Sequence, residues 1–178
     1  MLLKRIIDII FSILALFLLS VPLLIIAIFV KMSSPGPVFF ITKRVGRNNK
    51  IFLMPKFRTM YVGAPVLGTH EFKDHKKYIT QIGSFLRRTS LDELPQLFSV
   101  IKGDLSLVGP RPSLPSEHLL NYLRQQHKVY ELLPGITGWA QINGRDNLTI
   151  EQKAQFDAEY RLKRSLCFDI KIMFKTIY

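Results

Sequence analysis

Apolar residues fall in one long block at the amino end and in short runs after it. From Ile6 to Val30 the only charge is Asp8, and Lys4-Arg5 stand just ahead of the block. A run this long can reach across a hydrocarbon core. It is too long for the apolar part of a cleaved leader, and no small-residue cleavage site ends it. Pro22 lies well inside. Its ring removes a ladder bond, and it pushes Val21 away from helical angles, so a kink is expected there. Ser20 is placed to bond a carbonyl that the break frees. As helix, the arm 6–21 is about 24 Å long and the arm 22–30 about 14 Å, too short to cross by itself. Lys4 and Arg5 precede the run and Lys31, Lys43, Arg44 and Arg47 follow it, so flanking charge selects no orientation. That is the pattern of two ends on one side. The expectation for residues 1–32 is a re-entrant helix dipping into one leaflet, with Lys4 and Arg5 as headgroup anchors; a Pro-kinked spanning helix is the alternative.

The remainder, 33–178, reads as one mixed domain opened by the turn-rich Ser33-Ser34-Pro35-Gly36-Pro37. Val38–Ile41 and Ile51–Met54 are short β-type runs around an Arg47-Asn48-Asn49-Lys50 turn, which predicts a hairpin. Lys56 and Arg58 then share one face if the chain stays extended. Residues 61–80, with Gly63, Pro65 and Gly68, carry little periodicity and read as a loop. A short amphipathic helix over Ile82–Arg88 follows. Past Pro95 another helix buries Leu97, Phe98, Val100 and Ile101 and stops near Gly103. Ser116 caps a mostly polar helix reaching Leu132, and Thr149 with Gln152 forms a capping box for the next. Leu166–Tyr178 is a basic amphipathic helix suited to a membrane surface or to the core, with Cys167 packed in it as a small hydrophobe. The fold class is therefore α+β: a re-entrant helix, then a small domain with a short β-hairpin and several amphipathic helices, some lying on the membrane.

Charge sharpens the picture. Lys+Arg number 25 against 13 Asp+Glu, a net +12, which calls for an anionic partner: nucleic acid, a phospholipid surface or a phosphorylated small molecule. A single cysteine excludes a disulfide framework and a Cys-based metal site, and makes a cytoplasmic setting the default. His70, His75, His118 and His127 have no metal-ligand spacing and read as surface histidines. Against this basic background Asp92-Glu93, inside Thr89–Leu97, stands out. Ser90 and Glu93 make a capping-box pair; alternatively Asp92 is the cap and Pro95 falls among the first four helical positions. Either way the acids sit in a first turn at the positive end of a helix dipole, and such a pair is commonly no more than a cap. Arg87 and Arg88 lead into it. Gly109-Pro110-Arg111-Pro112 cannot be helical and presents Arg111 on a stiff loop, ready to grip a phosphate. Gly135 and Gly138 around a short β-type run indicate close backbone approach.

These motifs carry a resemblance. Lys4-Arg5, the Pro-broken apolar helix, Ser34–Phe40, Lys56–Met60, Arg88–Leu97, Ser106–Pro112 and Pro134–Arg145 together resemble the monotopic phosphoglycosyl transferases, the bacterial sugar transferases that start glycoconjugate assembly, in their short single-domain form. The resemblance implies transfer of a sugar-1-phosphate from a UDP-sugar to polyprenyl (undecaprenyl) phosphate at the cytoplasmic face of the bacterial inner membrane, releasing UMP. It also implies a ping-pong route through a covalent phosphosugar on Asp92, with Mg²⁺ held by Asp92 and Glu93, and Glu93 as metal ligand or proton acceptor. The family's helix break is Ser-Pro, whereas here Val21 separates Ser20 from Pro22.

The chemistry of such a reaction suits the residues. Attack on a diphosphate needs an ionised nucleophile and cations to neutralise phosphate oxygens. Lys56, Arg58, Arg87, Arg88, Arg111 and Arg145 are the candidate phosphate clamps. Asp157 and Asp169 read as contacts to the nucleotide or to buried arginines, with structural salt bridges as the equal alternative. Two rival classes, a membrane-anchored nucleic-acid binder and a non-catalytic scaffold, would share the basic charge but give no reason for paired acids among arginines. No nucleic-acid partner is expected; the oligomeric state is left open.

Overall fold

The computed structural model describes residues 2–65 and 75–177. Helices α1 (Leu2–Leu18) and α2 (Ser20–Ser33) form one apolar rod broken at Leu19 and bent by 65°. The break precedes Pro22. The proline takes the third position of α2, where its missing N–H has no intrahelical partner to lose. Ser20 Oγ donates to the Phe17 carbonyl at 2.8 Å, satisfying a group the bend frees. Among the described residues no single helix is long and apolar enough to cross a membrane, but the bent pair together is.

Both ends of this pair dock on the same body. At the head, Lys4 Nζ donates to Asp169 Oδ2 at 2.5 Å and to the Val108 carbonyl at 3.2 Å. Arg5 donates to the Ile101 and Leu105 carbonyls at 3.0 and 3.4 Å, the first at the end of the helix Gln96–Lys102, where carbonyls are free for a cation. Asp8, buried, accepts from Ser106 Oγ at 2.7 Å. Lys4 and Arg5, expected as headgroup anchors, are thus engaged by carboxylate and carbonyl oxygens of the protein itself. At the tail, Val30 is fully buried against Phe57 and Leu86. Arg58 donates to the Pro35, Ser34 and Val30 carbonyls at 2.7, 2.7 and 3.4 Å. This corrects the expectation of Arg58 as a phosphate clamp: it is a buried bolt. Gly36 makes room for it, with φ +126° and an imagined Cβ 2.0 Å from Arg58 Nη1.

The hairpin forms as expected but runs longer, β1 (Phe39–Val45) pairing antiparallel with β2 (Ile51–Phe57) around left-handed Asn48 and Asn49. Helices α3 (Gln81–Thr89) and α4 (Gln96–Lys102) follow, then β3 (Ser106–Val108). Phe98 of α4 points outward, 60 % exposed, against expectation, because Phe52, Met54 and Leu105 fill the core around Val100 instead. Helix α5 (His118–Gln126) is shorter than expected and is not capped by Ser116; a left-handed Lys128 ends it before a 3₁₀ turn at Val129–Glu131. β4 (Gly135–Thr137) lies parallel to β3, followed by α6 (Trp139–Ile142), α7 (Ile150–Lys163) and α8 (Leu166–Ile177). The Thr149–Gln152 capping box opens α7.

The close approach around Gly135 is backbone on backbone. A Cβ on Gly135 would stand 2.1 Å from Gly109 N, so the β3–β4 contact tolerates no side chain there. Helix α8 packs its Asp169–Ile172 face on Val108, Leu132 and Tyr160, leaving Ile170 and Phe174 exposed. Cys167 is exposed, not packed. His118 and His127 are exposed; His70 and residues 66–74 of the expected loop lie outside the described residues.

Arg58→Met is expected to leave several carbonyls unpaired and to destabilise the protein by about 3 kcal/mol, read by thermal unfolding; a cost near zero would show that the tail of α2 is held by packing alone.

Candidate active site

Ser90 is used to end α3. It adopts a left-handed φ of 57°, its N–H bonds the Arg87 carbonyl, and its side chain caps nothing. Leu91–Glu93 form a 3₁₀ turn and α4 begins only after Pro95. Neither expected cap exists, so the acids do not sit in the first turn of an α-helix. What surrounds them comes from elsewhere in the chain.

Glu93 is clamped. Its Oε1 accepts from Lys56 Nζ of β2 and from Arg111 Nη2, both at 2.7 Å, and Arg111 Nη1 lies 3.4 Å from Oε2. Arg111 is held by the two prolines beside it and by Arg124, whose Nη1 donates to the Arg111 carbonyl at 2.8 Å. Arg124 in turn grips Asp157 Oδ2 through Nε and Nη2 at 2.9 and 2.6 Å, with both side chains almost fully buried. Arg44 donates to the Pro112 carbonyl at 3.3 Å on the same loop. Asp92, by contrast, accepts no hydrogen bond among the described residues although it is buried. Arg87, steadied by Nε donation to Thr59 Oγ1 at 2.9 Å, lies within its electrostatic reach.

The two carboxyls therefore differ. Burial pushes Asp92 up, only partly offset by Lys56 and the arginines. Burial also pushes Glu93 up, but Arg111 and Lys56 together outweigh it and hold that carboxyl well below the usual range. A carboxylate so held is a poor proton acceptor. Burial and Arg111 bring Lys56 down to about 8 despite Glu93, and burial with Arg111 brings Arg44 to about 10. The site holds one poorly solvated carboxyl that accepts no side-chain hydrogen bond among the described residues, beside one paired with two cations.

A cavity of about 480 Å³ opens here, lined by Glu93 and Arg111, by Leu107 and Ile136 of the β3–β4 pair, and by Arg145 and Lys175. It mixes apolar walls with cations, the make-up of a site for a phosphorylated organic ligand. The structure thus brings Lys56, Arg87, Asp92, Glu93 and Arg111 together, with Arg145 lining the adjacent cavity. Arg88 is exposed and does not line it. Asp157 is the partner of a buried arginine, whereas Asp169 bonds Lys4 and Tyr160 and so forms a structural salt bridge with a lysine. Arg44, Arg124 and Thr59 were missed. Arg124 had a signal: it follows Leu120 by four positions, on the buried stripe of α5.

Among the described residues no group of three or more His, Cys, Asp or Glu could hold a metal. Of the two carboxyls only Asp92 has oxygens that no described cation already bonds; Mg²⁺ commonly takes one or two carboxylates and completes its oxygens from phosphates and water.

The bacterial sugar transferase family model matches residues 1–178. The chain belongs to the bacterial sugar transferase family. Among its relatives, the UDP-glucose:undecaprenyl-phosphate glucose-1-phosphate transferase of Escherichia coli (strain K12) is 44 % identical, over 99 % of this chain and 40 % of its own length. The UDP-N-acetylgalactosamine-undecaprenyl-phosphate N-acetylgalactosaminephosphotransferase of Aeromonas hydrophila is 37 % identical, over 98 % of this chain and 42 % of its own. The uncharacterized sugar transferase EpsL of Bacillus subtilis (strain 168) is 41 % identical, over 99 % and 86 %. The chain thus spans about two fifths of the first two sugar transferases and most of the third.

Lys56 is expected to titrate near 8, losing its charge as pH rises through that value and leaving Glu93 with Arg111 alone. Glu93 raises the Lys56 pKa, so Glu93→Gln is expected to move the titration lower still. NMR of the ¹³C-methylated lysines reads this; a Lys56 signal titrating near the ordinary 10.5 in both proteins would contradict the burial.

Proposed function

We propose that this protein transfers a sugar-1-phosphate from a UDP-sugar to undecaprenyl or another polyprenyl phosphate, releasing UMP and starting a membrane-bound glycan such as an exopolysaccharide or lipopolysaccharide. The observation that carries the reading is the bare Asp92 carboxylate beside a Glu93 already neutralised by Lys56 and Arg111. An Asp92 oxygen attacks the sugar-bearing phosphorus of the UDP-sugar, and the bond from that phosphorus to the bridging oxygen breaks. UMP leaves with the electron pair, and the phosphosugar stays on Asp92 as an acyl phosphate. An oxygen of the polyprenyl phosphate then attacks the same phosphorus and frees Asp92, giving a polyprenyl diphosphate sugar. Low solvation raises the reactivity of Asp92, and Lys56, Arg87 and Arg111 offset the charge gathered on the phosphoryl oxygens. Glu93, too weak a base for proton transfer, positions Lys56 and Arg111. Mg²⁺ would be held through Asp92, the carboxyl not already paired with cations, and would supply further charge neutralisation.

The bent helix pair suits a lipid acceptor. We read it as re-entrant, entering and leaving one leaflet from the cytoplasmic face of the bacterial inner membrane. Supporting this are the docking of both ends on one domain and the apolar side chains the pair leaves outward, Phe11, Phe17, Val21, Leu24 and Phe29 among them. A phosphate at headgroup depth would then meet the site directly.

Asp92→Asn is expected to lower UMP release by about 10³-fold or more while leaving membrane association intact. With a donor labelled in the phosphate next to the sugar, wild type but not the variant is expected to retain label on the protein. Near-normal release from the variant would sink the proposal; screening UDP-sugars on the wild type identifies the donor. In a Cys167→Ser background, Leu2→Cys and Lys50→Cys are both expected to react with an impermeant thiol reagent from the cytoplasmic side. Labelling from opposite faces would mean that the pair spans.

A further inference from the structure

A second cavity, about 570 Å³, takes no part in the acid-pair site. β3 stands between the two: Leu107 lines the cavity beside Glu93 and Val108 lines this one, as the alternation of strand side chains requires. Its walls come from the head of α1, the β1–β2 turn and the end of α7. Four cations line it, Lys4, Arg5, Arg47 and Arg164, against two acids, Asp8 and Glu131.

These groups are not equivalent. Lys4 and Arg5 are committed to Asp169 and to carbonyls, and Glu131 is paired with Arg161 at 2.7 Å. Arg47 and Arg164 are exposed and, among the described residues, have no side-chain hydrogen bond or ion pair. Two exposed guanidiniums from distant elements, Arg164 within electrostatic reach of Glu131, therefore share one cavity. Guanidinium forks match phosphate oxygens. The volume exceeds what a bare phosphate fills and suits a small organic headgroup. Asp8 and Glu131 disfavour a second negative charge while offering acceptors to a hydroxyl. A singly charged phosphate diester bearing hydroxyls meets both conditions. Beside the cavity, α1 exposes Leu2, Leu3 and Ile6.

We infer that this cavity is a second phosphate site, in which Arg47 and Arg164 hold the phosphodiester of an anionic phospholipid from the surrounding leaflet. Its position goes beyond the transfer reaction; only the lipid source of the phosphate rests on the membrane reading above. A soluble phosphate offers related chemistry and is separated by the test.

The full chain in nonionic detergent is titrated calorimetrically with dihexanoyl phosphatidylglycerol, dihexanoyl phosphatidylcholine and inorganic phosphate. Saturable binding of the phosphatidylglycerol is expected, at least tenfold tighter than either other probe, and at least tenfold weaker in the Arg47→Gln/Arg164→Gln double variant. Arg47→Gln alone, on an exposed turn, reads the same loss should the double variant not fold. Inorganic phosphate binding as tightly as the lipid would overturn the lipid source. Equal binding of both lipids, or unchanged binding in the variants, would overturn the site. The titration needs no turnover and is expected to be unchanged in Asp92→Asn, so its outcome is independent of the transfer reaction.

Discussion

Arg58 at one end and Lys4, Arg5 and Asp8 at the other hold a single bent helix pair against a single folded body, and the remaining geometry follows from that double grip. Each contact joins a charged side chain of one part to oxygens of the other. At the tail, Phe57 next to Arg58 packs on Val30 and Leu86, with Leu91 against the same cluster one residue before Asp92. The helix tail and the acid pair are thus parts of one packed unit. At the head, Ser106 and Val108 of β3 receive Asp8 and Lys4, so the strand that walls the cavity beside Glu93 is also the dock for α1.

The acid pair shows how neighbours divide labour between identical chemistries. Asp92 and Glu93 are equally buried, yet one is bare and the other has two cations. The difference lies in the hairpin and in the proline-flanked loop, which aim Lys56 and Arg111 at Glu93. Behind them Asp157, Arg124 and the Arg111 carbonyl form a chain of contacts from α7 to the site. A buried ion pair such as Arg124–Asp157 adds little net stability; its value here is to fix the direction of Arg111.

Much of this was legible in the residues. Strong local signals held: the hairpin, the Thr149 capping box, the broken apolar helix, and the glycines of the 135–138 stretch, whose close neighbour proved to be Gly109. The paired acids stood out against the basic background, and Lys56, Arg87 and Arg111, read from their motifs as phosphate clamps, gather beside them. What failed was long-range. Nothing local distinguishes Lys56, which reaches Glu93, from Arg58 two positions later, which turns to the α2 tail. The Ser90–Glu93 capping pattern lost to the closing of α3, which needed Ser90 in a left-handed conformation. Lys4 and Arg5 looked like surface charges because their partners, Asp169 and the α4 carbonyls, lie far along the chain.

That distance has a consequence for how the protein is made. Lys4 and Asp169 are separated by 165 positions, and Asp8 and Ser106 by 98. The first helix leaves the ribosome long before the groups that fix its head exist, and closing such long loops is slow relative to local folding. Arg5 and Asp8 find their partners once residues 101–106 are made, but Lys4 finds its carboxylate only when synthesis reaches α8. The tail, whose Arg58–Ser34 contact spans 24 positions, can close much earlier. The head of α1 therefore completes its native contacts later than the tail of α2, although it is made earlier.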